Sequence, residues 1–263
     1  MNVIACIKQV PATTSVEINP ETGTLIRDGS KAKINPFDLF VLETAVRLKE
    51  QYGAHITALT MGPPQAKKIL EEAYMLDVDE TVLVSDRNFG GADVLATAYT
   101  LSQAIRSQGK VDLIICGKQT TDGDTAQVGP AIAEMLGIPH AAWVSKLVSA
   151  DENGIKVYQE LDEENTAVLD LPFPCLITTE KDIVEVRLPS YKTMLKNQDK
   201  TIQEVCLKDM EDTDANNYGL KGSATQVERI FPPEPKEGHV VLDGTDEKVG
   251  DKLADLLREA HIL

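Results

Sequence analysis

The fold is decided by a stretch that begins VDLIICG (111–117) and continues KQTTDGDTAQVGP (118–130). The first run is short and apolar, which is typical of a buried strand, and AIAEMLG (131–137) beyond the turn has the composition of a helix. The turn itself is rich in hydroxyls and amides and carries two aspartates around a glycine. A turn that only connects a strand to a helix needs a cap residue and one glycine. This composition therefore predicts a binding loop.

The same order of strand and helix repeats along the first two-thirds of the chain. The patterns predict strands at 3–8, 55–61, 81–86 and 111–117, a hairpin at 16–29, and helices at 36–53, 64–76, 91–109 and 125–137. This alternation indicates a doubly wound, mostly parallel α/β sheet of the flavodoxin- or Rossmann-like type, covered by helices on both faces. Ligands of such sheets bind outside the carboxyl ends of the strands. The exits at 8–11, 61–64 and 116–124 are therefore expected to line one crevice.

The pattern changes after about residue 140. Strands are predicted at 141–150, 155–161, 166–172 and 174–180, with antiparallel pairing at the sheet edge. Periodicity fades after residue 183, the segment FPPEP (231–235) forms a stiff break, and 245–263 reads as an amphipathic helix. We therefore divide the chain into an α/β domain, 1–182, and an extended C-terminal arm ending in a helix, 183–263. An isolated helix has little core of its own, so we expect it to pack on another chain.

Composition excludes several functional classes. The net charge of −16 opposes binding to a nucleic-acid backbone, and the longest apolar runs are too short to cross a membrane. The N-terminal segment lacks the basic region of a signal peptide, so we expect a cytoplasmic protein. The four cysteines form no CxxC pair and are interpreted as reduced thiols, and the four histidines show no metal-ligand spacing.

Three features of the loop favour an anionic nucleotide. Gly117 and Gly123 let the backbone approach a ligand closely, and amides at 123–128 are expected to form a helix N-terminus that stabilises phosphate. Asp122 and Asp124 disfavour a triphosphate, which leaves a monophosphate or a diphosphate. The alternative is that Asp124 only caps the helix. The chain has neither GxGxxG after its first strand nor a P-loop motif, and no catalytic constellation is evident.

Several of these motifs together resemble the β subunit of electron-transfer flavoproteins. They are IACIKQVP (4–11), INPFDLFVLETAVRLKE (34–50), LTMGPPQAKKILEEAYMLDVDE (59–80) and CGKQTTDGDTAQVGPAIAEMLGIP (116–139). The likeness extends over nearly the whole chain. One segment departs from the family pattern R-E-I-D-G-G-x-E: QELDEENT (159–166) has Gln159 in place of arginine and two glutamates in place of the glycine pair.

The resemblance implies that 1–182 is a domain that binds an adenine nucleotide, and that 183–263 contains a partner-docking loop, the extended arm and a C-terminal helix that packs on the partner subunit. The implied nucleotide-contacting residues are Cys6, Asn35, Pro36, Phe37, Asp38, Met61, Gly117, Lys118, Gln119, Thr120, Thr121, Asp122, Gly123, Asp124, Thr125, Ala126, Gln127 and Val128. The docking loop corresponds to RLPSYKTMLK (187–196), with Leu188, Tyr191, Met194 and Leu195 as candidate anchors. The alternative is that these four side chains pack on the body of the protein.

The resemblance also implies an electron carrier that forms a heterodimer with a flavin-bearing α subunit. In simple carriers the β site holds AMP and the loop tends to read GKQ-x-I-D-[DN]-D. The loop GKQTTDGDTAQVG looks more like the electron-bifurcating sort, whose β site holds FAD. We therefore expect FAD, with AMP as the alternative, and electron exchange among NADH, the α-subunit flavin, ferredoxin and a flavin-dependent acyl-CoA dehydrogenase or reductase. Since the cofactor carries the electrons, no catalytic side chain is needed. The other hypothesis is a non-redox regulatory nucleotide-binding module.

Overall fold

The computed structural model describes residues 1–12, 17–18, 25–26, 32–162, 164–228, 241–242 and 247–263. The chain forms two compact units, Met1–Glu228 and Arg229–Leu263. The first unit extends past the boundary expected after residue 182, because the segment that follows packs on the sheet and is not an extended arm. FPPEP (231–235) lies outside the described residues.

One nine-stranded sheet forms the centre of the first unit. Its strands are β1 (Asn2–Cys6), β6 (His55–Met61), β7 (Glu80–Val84), β8 (Leu113–Gly117), β9 (His140–Ala150), β10 (Gly154–Glu160), β11 (Thr166–Pro172), β12 (Cys175–Thr179) and β13 (Gln203–Val205). Their order in the sheet is β11-β10-β9-β12-β8-β1-β6-β7-β13. Every pair from β9 across to β13 is parallel, while β10 pairs antiparallel with both β9 and β11. The predicted α/β class with a mostly parallel sheet is confirmed.

Helices cover both faces of the sheet. The helices are α1 (Pro36–Tyr52), α2 (Lys67–Met75), α3 (Val94–Arg106), α4 (Val128–Leu136), α5 (Tyr191–Asn197), α6 (Gly219–Gly222) and, in the second unit, α7 (Glu247–Glu259). Alternate residues of a strand point to opposite faces, so Val3 and Ala5 pack with α1 and α2 while Ile4 packs with α3 and α4. Burial on both sides explains the continuous apolar runs of the central strands.

The strand order reverses direction beside β1. The chain moves from β1 to β6 and β7 on one side, then crosses to β8 and β12 on the other. The point between β1 and β8 is therefore the topological switch point, where the loops after adjacent strands diverge and leave a crevice. The predicted binding loop follows β8 directly.

Two sequence-based assignments were wrong in detail. The segment expected as an antiparallel edge strand at 174–180 is β12, which is buried between β8 and β9 and parallel to both. All five of its residues are buried, as a strand covered on both faces requires. The predicted arm contains α5 and β13, and β13 adds a short parallel edge strand beside β7.

Smaller elements agree with the expectations where the structure describes them. β3 (Glu17–Ile18) and β4 (Leu25–Ile26) pair antiparallel, which confirms a hairpin; its turn lies outside the described residues. β2 (Gln9–Pro11) pairs with β5 (Ala32–Ile34) and brings the chain to the start of α1. The predicted C-terminal helix is confirmed as α7, none of whose described residues is buried.

Candidate functional site

Asn35 joins the start of α1 to the loop after β8. Its side chain is fully buried, with 0% exposed. The amide nitrogen donates to the backbone carbonyl of Gln119 at 2.9 Å, and the amide oxygen accepts from the backbone N–H of Thr121 at 3.3 Å. Asn35 precedes Pro36, the first residue of α1, but its side chain makes no capping bond. It binds the loop instead.

Asp38 joins the same helix to the end of β1. Its Oδ2 accepts from the backbone N–H of Lys8 at 2.6 Å, and its Oδ1 accepts from Nδ2 of Asn35 at 2.9 Å. Only 4% of the residue is exposed. Burial raises the pKa of Asp38 to about 7, although the bonds from Asn35 and Lys8 act in the opposite direction.

Gly117 lets the end of β8 approach the hydrogen-bonded side chains of Asn35 and Asp38. A Cβ at Gly117 would lie well inside 3.0 Å of Oδ1 of Asp38 and 3.2 Å from Cβ of Phe37. No side chain fits there, so the end of β8 can approach α1 only with a glycine. The expected convergence of the first and third strand exits is thus observed, with α1 packed between them.

Both aspartates of the loop accept hydrogen bonds from other side chains, but only Asp122 is paired with a cation. Nζ of Lys8 donates to both carboxylate oxygens of Asp122, at 2.7 and 2.9 Å, and Nε2 of Gln119 donates to Oδ1 of Asp124 at 2.5 Å. Burial acts to raise the pKa of Asp122, but the bonded Lys8 ammonium lowers it below the usual range. Lys8 therefore neutralises the charge of Asp122, whereas the neutral amide of Gln119 binds Asp124 without compensating its charge.

The loop has an unusual backbone and an uncapped helix. Asp124 and Ala126 have φ values of 53° and 55°, in the left-handed region that residues other than glycine rarely adopt. α4 begins at Val128, after Gln127, which makes no side-chain capping bond. The expectation that the helix begins near residue 125 was wrong, and Asp124 is not its cap.

Two backbone amides remain for a ligand at the start of α4. Pro130 has no N–H, and the amide of Ala131 already donates to the carbonyl of Gln127 at 3.1 Å. Among the described residues, the amides of Val128 and Gly129 have no partner. The small loop residues Gly123 and Thr125 precede them and are exposed.

Cys6 and Cys116 lie beneath the crevice on neighbouring strands. A hydrogen bond with Cys6, together with burial, raises the pKa of the Cys116 thiol well above its usual value. Cys116 is buried and Cys6 is half-buried, and both are free thiols, as expected. Met61 ends β6 and is half-buried. Within the described part of the chain, no group of three possible metal ligands occurs.

This geometry can now be compared with known proteins. A family profile described as Electron transfer flavoprotein domain matches residues 22–210. Electron transfer flavoprotein subunit beta from Clostridium acetobutylicum is 42% identical over 263 residues, the full length of both chains. The chain is a β subunit of the electron transfer flavoprotein family. Its membership supports electron transfer as the function and associates the chain with flavin.

Two further relatives of this flavoprotein subunit have more specific names. Protein FixA from Azorhizobium caulinodans is 39% identical over 96% of this chain and 92% of the relative. The Caffeyl-CoA reductase-Etf complex subunit CarD from Acetobacterium woodii is 39% identical over the full length of both chains. The second name describes a subunit that works in a complex with a CoA-linked reductase.

The candidate docking residues of the flavoprotein subunit are mostly exposed. Leu188 is 87% exposed and Tyr191 is 71% exposed, Leu195 is exposed, and Met194 is half-buried. Leu188, Tyr191 and Leu195 therefore do not fit the alternative that these side chains pack on the body of the protein. Exposed apolar side chains grouped at the start of a helix are a candidate contact surface for another protein.

Arg187, at the start of the docking segment 187–196, is joined to α1 by ion pairs. Its guanidinium donates to Glu43, at 2.7 and 2.9 Å, and to Glu50, at 2.6 and 3.0 Å. Glu43 is 2% exposed and also accepts from Arg47. Burial acts to raise the pKa of Glu43, but the bonded arginines lower it overall. The sequence did not predict this ion pair, because Arg187 and Glu43 lie 144 residues apart and no local spacing pattern links them.

A second missed feature lies on the other side of the loop. Trp143 has a φ of 59° at a register shift between β9 and β12, and its side chain is 40% exposed. Nζ of Lys118 lies 4.4 Å from the ring centroid and also pairs with Glu180. The lysine of the GKQ motif is therefore directed away from the aspartates of the loop.

Of the helices that the structure describes, none is long and apolar enough to cross a bilayer.

Proposed function

We propose that the chain binds FAD at the switch point and acts as the β subunit of an electron-bifurcating flavoprotein. One observation carries the proposal: the start of α4 offers two unpartnered backbone amides without a capping side chain, and the nearby carboxylate of Asp122 is neutralised by the Lys8 ammonium. A diphosphate needs such amides and is repelled by free carboxylates. With Asp122 paired to Lys8, the amides of Val128 and Gly129 can bind a diphosphate beside this loop.

The residues present fit the cofactor. Val128 and Gly129 would hold the diphosphate through their backbone amides, and Thr121 and Thr125 would offer hydroxyls to its sugar and ribityl groups. A Cβ added at Gly123 would come no closer than 3.5 Å to another group, Oγ1 of Thr120, so the exposed side of the loop lacks bulk at this position. When bound, FAD would supply both one-electron and two-electron chemistry. The chain's own residues bind and orient it.

The proposed partners follow from the same assignment. We propose a heterodimer with a flavin-bearing α subunit, which α7 and the rest of 229–263 would contact. NADH would deliver electrons, and ferredoxin and an acyl-CoA dehydrogenase or reductase would receive them. The name of the CarD relative supports the last of these, since it describes a complex with a CoA-linked reductase. NADH and ferredoxin are cytoplasmic carriers, so the proposal includes a cytoplasmic location.

The proposed docking surface consists of Leu188, Tyr191 and Leu195. Their exposure supports a contact with the partner enzyme, and the bonds of Arg187 to α1 would keep the segment in place before the partner arrives. An apolar anchor held in advance loses less entropy on binding than one on a free loop.

The test of the cofactor is a count of released nucleotides. The chain is co-expressed with its α subunit, and the purified pair is denatured and its nucleotides separated by chromatography. Close to two FAD per αβ pair is expected. One FAD plus one AMP would show a simple carrier, and the FAD proposal would fail while family membership stood.

A further inference from the structure

Asn35 and Asp38 belong to the implied nucleotide-contacting set, yet both side chains are turned inward. Asn35 is 0% exposed and Asp38 is 4% exposed. Their polar atoms are used by the protein: Lys8, Gln119 and Thr121 all bond to this pair. A side chain so buried and so engaged cannot also bind a ligand in the crevice. Any role in binding must act through the groups that it holds.

The pair connects three separate segments at the switch point. Asp38 holds the backbone just after β1, Asn35 holds the loop after β8 at two places, and the two side chains are bonded to each other at 2.9 Å. Gly117 brings the loop close enough for this contact, since any side chain there would collide with Asp38. The loop 117–121 is therefore fixed to α1 by one continuous set of hydrogen bonds.

We propose that Asn35 and Asp38 are positioning residues for the nucleotide: together they fix the loop in the shape that receives the phosphate, and they do so only while both oxygens of Asp38 accept hydrogen bonds. This inference rests on the proposed function, because it concerns the same site. It also makes nucleotide affinity dependent on the protonation of a group that the nucleotide does not touch.

The surroundings of Asp38 place this dependence near neutral pH. Burial raises the pKa of Asp38 to about 7. The charged and titratable groups facing it are Lys8 after β1, Asp122 in the loop, and the thiols of Cys6 and Cys116 on β1 and β8. The pKa of Asp122 is lowered and that of Cys116 is raised, so both groups move away from neutrality. Below pH 7 the carboxyl group of Asp38 carries its own O–H donor, which faces the donors of Lys8 and Asn35. One of these hydrogen bonds is then lost, and the affinity for the nucleotide falls.

The experiment measures FAD binding to the full-length chain, freed of nucleotide, by calorimetry from pH 6 to pH 8. If only the ionised form holds the loop, the wild-type affinity falls on the order of tenfold between pH 8 and pH 6, since a group with a pKa near 7 changes from about 90% to about 10% ionised. Asp38→Asn keeps the shape of the side chain but turns an amide donor toward either Lys8 or Asn35. We expect it to bind FAD about tenfold more weakly at pH 8 and to show no pH dependence.

The matched control is Asp112→Asn. Asp112 accepts from the backbone N–H of Asn2 at 2.8 Å, at the opposite end of β1 from Lys8. This variant also loses a carboxylate that holds a strand end, but it lies at the amino edge of the sheet. It should keep the wild-type affinity and pH profile. A second variant, Asn35→Ala, removes both bonds to the loop and should weaken binding at every pH, which keeps the test decisive if Asp38→Asn fails to fold.

The outcomes separate this inference from the proposed function. If the wild-type chain binds neither FAD nor AMP, the nucleotide site itself is wrong and both proposals fall. If it binds with an affinity independent of pH, and Asn35→Ala binds equally well, only the positioning role is overturned. If the chain binds AMP but not FAD, the FAD proposal fails. The same pH series and variants measured with AMP then test the positioning role.

Discussion

Replacing Gly117 by alanine would test how tightly the end of β8 must approach α1. The added methyl group would lie well inside 3.0 Å of Oδ1 of Asp38, and 3.3 Å from the backbone carbon of Phe37. The carboxylate cannot move away freely, because Lys8 holds it at 2.6 Å and Asn35 at 2.9 Å. Overpacking a core costs about 1–3 kcal/mol, and losing a hydrogen bond to a charged group costs about 1.5–3 kcal/mol.

We therefore expect Gly117→Ala to lower the free energy of unfolding by about 3 kcal/mol and the Tm by roughly 6–12 °C. Nucleotide affinity should fall as well, because the loop moves with the carboxylate. Differential scanning calorimetry and FAD titration measure the two effects. The matched control is Gly123→Ala in the same loop, where the nearest atom to an added Cβ is Oγ1 of Thr120 at 3.5 Å. The free energy of unfolding of this variant should lie within about 0.5 kcal/mol of the wild-type value. Equal stability of the two variants would refute the steric argument.

Two further predictions concern the docking segment. Tyr191→Ala should slow electron transfer to a partner dehydrogenase about tenfold at limiting partner concentration and leave nucleotide content unchanged, because an exposed anchor contributes to binding but not to folding; unchanged stopped-flow rates would instead assign Tyr191 no part in docking. Arg187→Ala should lower the free energy of unfolding by about 2 kcal/mol, because it removes the guanidinium from the buried Glu43 and leaves it Arg47 and the backbone N–H of residue 187 as described partners. Denaturant titration measures this, and Lys156→Ala, which breaks an exposed ion pair with Asp170, should change it little.

The sequence predicted the frame of the fold well and the roles of individual polar residues less well. α1 was predicted within one residue, because Pro36 at its start and a one-faced apolar pattern are local signals. β12 was assigned to the sheet edge, because a short apolar strand does not reveal its neighbours. The inward orientation of Asp38 was also beyond sequence reasoning, since it depends on Lys8 and Gly117, which reach it only after the sheet has formed. Asp124 looked like a helix cap, but its partner is Gln119.

The position of β12 has a consequence for the synthesis of the chain. β8 and β9 are consecutive strands along the sequence, yet β12 lies between them and bonds to both. While the ribosome is still translating the segment before Cys175, β8 has an open edge and the β9–β10–β11 meander has nothing to join. An open parallel edge is a template for pairing with other nascent chains. Completion of five residues, Cys175–Thr179, closes that gap and unites the two halves of the sheet. A released chain that ends just before Cys175 would therefore be more prone to aggregate than one that ends just after Thr179.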